Sequence, residues 1–342
     1  MTLKLVSVGL RDHLDLSLRA IEEIKTSDKV YFESYTMKLD TNIKQLEKTT
    51  GKKISILERD AMEEEASKLL QEAALHDVSI LVGGDVLSAT THVSLLIDAK
   101  KQGIGTKVIH GASILTAIAE TGLSIYKFGR TVTVPLPQKG PVDTVIRTLI
   151  ENREHGLHTL LLLDLNVPQG EYLTVPQALT RLIDTDEFPP ETLVLGLARI
   201  GSEDQKIRAD EAAHLIKHRW GEAPQAIVVP GRLHFMEEEA LKVLADCPPE
   251  LLEGRLVLGE VERLIDKYSR SCRKVLDTME LRDFPMEINE DKVKDLIDHT
   301  EHYLSDAQYY WGENNPVALT SVAYAEGILD ALKLLGLAGF QW

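Results

Sequence analysis

The sequence predicts an α/β fold of two α/β subdomains followed by an all-helical C-terminal module. Three observations carry this. Short apolar runs alternate with amphipathic stretches as far as about residue 257, several runs end in glycine turns, and helical periodicity alone remains after about Gly259. With 342 residues the chain is long enough for two or three domains, each able to bury a core.

Strands are expected at Leu3 to Val8, Lys29 to Glu33, Val78 to Val82, Lys107 to Ile109, Thr159 to Leu163, Thr192 to Leu197 and Ala226 to Val229, with helices between them. Such alternation is the mark of βαβ units and a largely parallel sheet. Pro135, Pro137, Gly140 and Pro141 punctuate the middle of the chain, and the hinge between the two halves is expected slightly earlier, around His110 to Ser113. The expected domains are therefore 1–111, 112–257 and 258–342. In the last of these, Val261, Leu264, Ile265, Tyr268, Cys272, Val275, Leu276 and Met279 keep the spacing of one helical face. Val293, Leu296, Ile297, Leu304, Ala307 and Trp311 keep it in a second stretch. A third helix starts at Asn315-Pro316, a cap followed by proline in the first turn. Its small residues Ala318, Ala323, Ala325, Gly327 and Ala331 allow close helix packing.

Function is most legible at Leu81-Val82-Gly83-Gly84-Asp85-Val86-Leu87-Ser88. A buried parallel strand runs into a glycine turn, which places Asp85 where ligands bind in open α/β sheets. Ser88 is positioned to cap a helix carrying Val93, Leu96 and Ile97; a plain capped strand-to-helix turn explains the same residues. Val8-Gly9-Leu10, Ile109-His110-Gly111-Ala112-Ser113-Ile114 and Leu197-Ala198-Arg199-Ile200-Gly201 repeat the layout. Ser113 either caps a helix or helps its N–H groups face an anionic carboxylate, and Arg199 suits an acid in the core as well as a ligand. No G-x-G-x-x-G occurs, so the usual argument for a dinucleotide is missing.

Six blocks together resemble the signature of the diphthine synthase family. They are Gly83 to His92, His110 to Ile114, Thr121 to Gly129 (with Ile-Tyr-Lys-Phe-Gly), Gly156 to Asp164, Ala198 to Ser202 and Pro230 to His234, in the family's order over about residues 1–256. The resemblance implies a tetrapyrrole methylase-like fold with a cleft between its α/β halves, S-adenosyl-L-methionine as cofactor and S-adenosyl-L-homocysteine as product. It also implies a homodimer and elongation factor 2 as protein substrate, whose aminocarboxypropyl-modified histidine is trimethylated to diphthine, a step of diphthamide biosynthesis. By motif position, the cofactor contacts it implies are Leu10, Asp85, Ser88, Ser113, Ile114, Leu163, Ile200 and Gln225. Where the family commonly has Pro-Gly-Asp-Pro, this chain has Gly83-Gly84-Asp85-Val86; relatives often carry histidine at the place of Gln225. Tyr303 to Tyr310 with Tyr324 to Leu332 resembles a small archaeal helical domain of unassigned function. The alternatives are a methyltransferase of the same fold acting on a tetrapyrrole or ribosomal RNA, and an inactive cofactor-binding scaffold with an interaction tail.

Composition narrows this further. A formal charge of −16 speaks against general affinity for nucleic acid, which depends on lysine and arginine neutralising phosphates. The segment from Glu260 on is especially acidic, with 9 Lys and Arg against 16 Asp and Glu. No apolar run approaches the roughly 18 residues of a membrane span and no signal peptide is evident, so the expected location is the cytoplasm. Cys247 and Cys272 lack metal-ligand spacing and are expected to be packing residues, with no metal site. No catalytic base is named. Tyr126, His92, His110 and His234 are the polar groups nearest the matched blocks, and each histidine is expected to be a structural hydrogen-bonding group.

Overall fold

The computed structural model describes residues 1–59, 66–185, 187–252, 260–281, 290–311 and 315–341. It falls into two compact units, one of Met1–Asn152 with Leu157–Arg255 and one of Arg153–Gly156 with Leu256–Trp342. The expected boundary at 257/258 lies outside the described residues.

The first half of the larger unit is built on a five-stranded parallel sheet. Its strands are β1 (Thr2–Ser7), β2 (Lys29–Glu33), β3 (Ser55–Leu57), β4 (Val78–Val82) and β5 (Gly105–Ile109), in the order β3-β2-β4-β1-β5. Helices α1 (Leu18–Lys25), α2 (Ile43–Thr50), α3 (Ala66–Leu75) and α4 (Val93–Lys101) accompany it. The two faces of the sheet feed two separate cores. Leu3, Leu5, Ile80 and Val82 belong to one, and Val6, Val8, Phe32 and Leu81 to the other. Every residue of β4 is buried, as a central parallel strand requires, and its one polar side chain, Ser79, pairs with the Ser27 hydroxyl at 2.7 Å.

The second half departs from the expected parallel sheet. It comprises α5 (Ile114–Ala117), β6 (Val132–Val134), α6 (Asp143–Glu154), β7 (Thr159–Leu163), β8 (Leu165–Asn166), β9 (Glu171–Tyr172) and α7 (Val175–Ile183). Then come β10 (Leu193–Ala198), β11 (Lys206–Glu211), α8 (Ala212–Leu215), β12 (Gln225–Val229) and α9 (Phe235–Leu244). The sheet order is β11-β10-β12-β7-β6, and only β6 and β7 run parallel; the other pairs are antiparallel. Strand β10 turns back directly into β11, a connection that antiparallel pairing permits without a crossover helix. Strands β3, β6 and β11 were not expected. All three are edge strands, two are only three residues long, and β11 (Lys-Ile-Arg-Ala-Asp-Glu) has no apolar run.

The smaller unit contains α10 (Glu260–Thr278), α11 (Glu290–Tyr310) and α12 (Asn315–Leu334). Its core joins Cys272, Val275, Leu304, Ala325 and Leu329, with further clusters around Ile265 and Leu332. The side chains of Val261 and Leu264 lie outside the described residues. Pro316 does sit in the first turn of α12. Several details differ from expectation. Leu296 is exposed, as are Ala323, Gly327 and Ala331, so only Ala318 and Ala325 of the small residues serve the packing. Strands also do not end at Gly259, because β13 (Glu280–Leu281) and β14 (Ala338–Gly339) form a short antiparallel pair. Both cysteines are free and buried, and burial pushes the Cys272 thiol up to about 11. Among the described residues no helix is long and apolar enough to cross a membrane.

Candidate functional site

Strand ends build a cavity of about 310 Å³ between the two sheets of the larger unit, within the size range of small-molecule pockets. Gly83 and Gly84 leave the carboxyl end of β4, and Gly84 adopts φ +69°, a left-handed conformation that suits glycine. Its backbone pairs with Gly9 after β1, through Gly9 N–H to Gly84 O at 3.2 Å and Gly84 N–H to Gly9 O at 2.7 Å. Leu10 and Asp85 are thereby held on one rim. Val86 occupies a place where the family commonly has proline, and its N–H donates to the buried Ser7 hydroxyl at 2.9 Å, a bond that proline cannot make.

Asp85 ties the β4 turn to the β5 turn. Its Oδ1 accepts from Leu87 N–H at 3.0 Å and Ser88 Oγ at 3.3 Å, while Oδ2 accepts from Gly111 N–H at 3.1 Å and meets His110 Nδ1 at 2.8 Å. Burial alone would raise the Asp85 pKa, but hydrogen bonds from His110, Leu87 and Gly111 outweigh it and hold the carboxyl below its ordinary value. From the second half, Asp164 follows β7 in the same manner. It accepts from Leu136 N–H at 3.0 Å, Lys139 Nζ at 2.9 Å and Leu165 N–H at 2.8 Å. There too burial pushes the pKa up and these donors bring it down. Two partnered carboxylates thus share the wall with apolar Leu10, Ile114, Leu163 and Ile200 and with the guanidinium groups of Arg59 and Arg199. Such a mixed lining suits a small guest with both charged and apolar parts.

All eight residues singled out from the sequence, Leu10, Asp85, Ser88, Ser113, Ile114, Leu163, Ile200 and Gln225, line this one cavity. Ser88 departs from the local reading, Ser113 follows one of its two branches, and Gln225 is committed to the fold. Ser88 does not cap α4, whose N-cap is His92; it is held by Asp85 instead, and Leu95 and Ala99 are buried while Val93 and Ile97 are exposed. Ser113 does cap α5, its hydroxyl taking Leu115 N–H at 3.1 Å. Gln225 spends its amide on structure, accepting from Val175 N–H at 2.8 Å and donating to Gly221 O at 3.1 Å. Sequence reasoning passed over Asp164, although it ends the apolar run of β7 just as Asp85 ends that of β4. It also missed Tyr35, Thr36 and Met37, which reach the cavity from an irregular segment without a motif.

Comparisons with known proteins place this geometry in a family. A model described as tetrapyrrole (corrin/porphyrin) methylases matches residues 2–216. Diphthine synthase of Methanosarcina barkeri is 40% identical over 259 residues, covering 72% of this chain and 97% of that protein. The chain belongs to the diphthine synthase family. The family's protein from Methanocaldococcus jannaschii is 37% identical over 252 residues, covering 71% of this chain and 98% of its own length. A crystal structure of diphthine synthase superposes with a TM-score of 0.70 at 37% identity, covering 73% of this chain and 98% of that one. A putative diphthine synthase from Entamoeba histolytica gives 0.65 at 31% identity, with coverage of 71% and 98%. A second model, described as a protein of unknown function (DUF357), matches residues 236–338.

Two of the family blocks, Thr121 to Gly129 and Pro230 to His234, do not line the cavity, and of Gly156 to Asp164 only the last three residues do. These blocks converge on a buried cluster in which Glu237 accepts from Ser124 N–H and His234 N–H, each at 2.9 Å, and from Lys127 Nζ. His158 is fully buried, with Nε2 3.2 Å from Glu237 Oε1 and Nδ1 accepting Gly231 N–H at 2.9 Å. Burial lowers the His158 pKa, against the pull of Glu237. Burial acts to raise that of Glu237, but its donors bring it down to about 2. His92 and His234 likewise make structural bonds, to Val86 O at 3.1 Å and from Met236 N–H at 3.3 Å, and Tyr126 projects into solvent.

Proposed function

We propose that this chain is an S-adenosylmethionine-dependent methyltransferase that trimethylates the amino group of the aminocarboxypropyl-modified histidine of elongation factor 2, giving diphthine. The observation that carries this reading is the meeting of all eight motif residues in one cavity, in a chain that spans nearly the full length of diphthine synthases. When bound, the cofactor supplies a methyl group already activated as a sulfonium. Leu10, Ile114, Leu163 and Ile200 would hold its apolar parts and exclude water, and the ionised Asp85 and Asp164 favour a positive guest.

The chain's chief contribution is then orientation, which supplies about 7–11 kcal/mol in well-aligned reactions. An α-amine with a pKa near about 8 is appreciably neutral at pH 7, so no residue is assigned as base. Subdomains 1–111 and 112–257 provide the two walls. The enzyme acts in the cytoplasm as a homodimer, and the helical module 258–342 assists dimerisation or docking of the large protein substrate. The curated relatives are covered almost completely by about 72% of this chain, which fits an accessory role for the rest.

Mass spectrometry of elongation factor 2 bearing the aminocarboxypropyl histidine, incubated with this protein and S-adenosylmethionine, tests the assignment. Three added methyl groups are expected; none would overturn it. Removal of residues 260–342 is expected to lower the oligomeric state in light scattering or the rate on the protein substrate. If neither changes, the module has neither role.

A further inference from the structure

The segment 34–42, which follows β2, has no regular secondary structure and bridges the two halves of the larger unit. Its first end is fixed. Tyr35 N–H and Thr36 N–H donate to Glu33 Oε1 at 2.6 and 2.7 Å, and the Thr36 hydroxyl to Oε2, with Glu33 itself buried. Its middle faces inward, with Thr36 and Met37 on the cavity wall. Tyr35 and Leu39 pack into the two cores of the first sheet.

Its outward side chains cross to the second half. Lys38 Nζ lies 2.7 Å from Glu222 Oε2 and 5.3 Å from the centre of the Tyr172 ring. Asp40 receives both terminal nitrogens of Arg199, Nη1 at 3.0 Å, while Arg199 Nε bonds Asp204 at 2.8 Å. Arg199 itself lines the cavity and holds φ +53°, uncommon for a residue with a side chain, and its N–H donates to Pro224 O at 2.9 Å. The two ends differ in kind. Glu33 is closed to water, Asp204 and Glu222 are largely exposed, and the Arg199–Asp40 pair lies between, at 12% and 29% exposure. Pairs that water still reaches shift an equilibrium modestly and are weakened by salt.

We propose that segment 34–42 is a strap across the cavity with Arg199 as its positioning latch, so that a guest enters or leaves when the Arg199–Asp40 pair opens. The identity of that guest rests on the function proposed above; the latch does not. Hydrogen exchange of the full-length, ligand-free protein provides the first test. Asp40→Asn is expected to speed exchange of the 34–42 amides about 3- to 10-fold, with β4 and β10 unchanged. Raising KCl to about 1 M, where charges are screened beyond about 3 Å, speeds the parent similarly, and Asp40→Asn loses most of that salt dependence. Equal exchange in parent and variant would overturn the latch.

In the second test, S-adenosylhomocysteine leaves the variant faster by a similar factor in stopped-flow measurements. A faster strap with unchanged dissociation would overturn the gating. Failure of the parent to bind S-adenosylhomocysteine at all would sink the cofactor reading, while exchange in the free protein still decides the latch.

Discussion

The family's motif blocks divide into two regions of opposite character. Gly83 to His92, His110 to Ile114 and Ala198 to Ser202 end at a cavity whose wall includes Asp85 and Asp164, each held by donors of the neighbouring turns. Thr121 to Gly129, the His158 end of Gly156 to Asp164, and Pro230 to His234 meet inside the second half, where Lys127, Glu237 and His158 satisfy one another. Equal prominence in sequence thus hides two jobs. The first region sets its hydrogen-bonded groups on the wall of an open cavity; the second buries them to fix where α9 and the turn at Ser124 lie.

Glu237→Ala should break the second region with the largest effect. It strips the acceptor from Lys127 Nζ, Ser124 N–H and His234 N–H in a buried place, a loss of about 3–5 kcal/mol. Thermal and urea unfolding measure it, and a loss below about 1 kcal/mol would show that water replaces the carboxylate freely. The pH dependence has a defined sign. Glu237 has a folded pKa near 2 against an ordinary 4.5, so its contribution is complete above about 4.5 and fades as pH falls toward 2. His158 has its pKa lowered by burial, so the unfolded chain takes up its proton first and stability also falls as pH drops below the ordinary 6.5. Both act in the acid direction. Glu237→Gln should flatten the lower part of the acid unfolding profile and leave the His158 part at least as strong, because the carboxylate that pulled the His158 pKa upward is gone.

These differences explain what the sequence disclosed. Strands β4, β7, β10 and β12 are predominantly apolar and largely buried, so their residues alone announce them. Edge strand β11 needs no such run, and without it the antiparallel order of the second sheet was invisible. Asp85 was legible because a strand, a glycine turn and an acid are neighbours in sequence. Tyr35 to Asp40 was not, because contacts with Gly83, Arg199 and Glu222, residues far away along the chain, place it. Motif position brought Gln225 to the cavity wall, but only the fold shows its amide committed to Val175 and Gly221.

Asp85→Ala probes the first region and should reverse the balance of effects. The donors it releases, at Leu87, Ser88, His110 and Gly111, lie beside an open cavity where water serves them, so stability should fall by only about 1 kcal/mol. Loss of a charged partner for a cationic guest should weaken S-adenosylmethionine binding about 10- to 100-fold, the equivalent of about 1.5–3 kcal/mol. Calorimetry reads the affinity and thermal unfolding the stability. If Asp85→Ala cost as much stability as Glu237→Ala, the two regions would not differ in kind.

Gly83→Ala should have the smallest effect and separates shape from charge within the first region. Unlike Gly84, Gly83 shows no left-handed backbone, so alanine is free of that strain. Its new Cβ would stand 3.0 Å from Met37 Cβ and 3.3 Å from Met37 Sδ, closer than side chains settle, and Met37 belongs to an irregular segment able to give by a few tenths of an ångström. The reduced freedom of the unfolded chain favours alanine by about 0.4–1 kcal/mol, so net stability should change by less than about 1 kcal/mol. The methyl group instead pushes Met37 along the cavity wall, and guest affinity should fall by about 2- to 5-fold with Asp85 intact, an effect of about 0.4–1 kcal/mol. A loss of affinity as large as that of Asp85→Ala would mean that the close approach of Met37 to the glycine turn, more than the carboxylate, shapes the site.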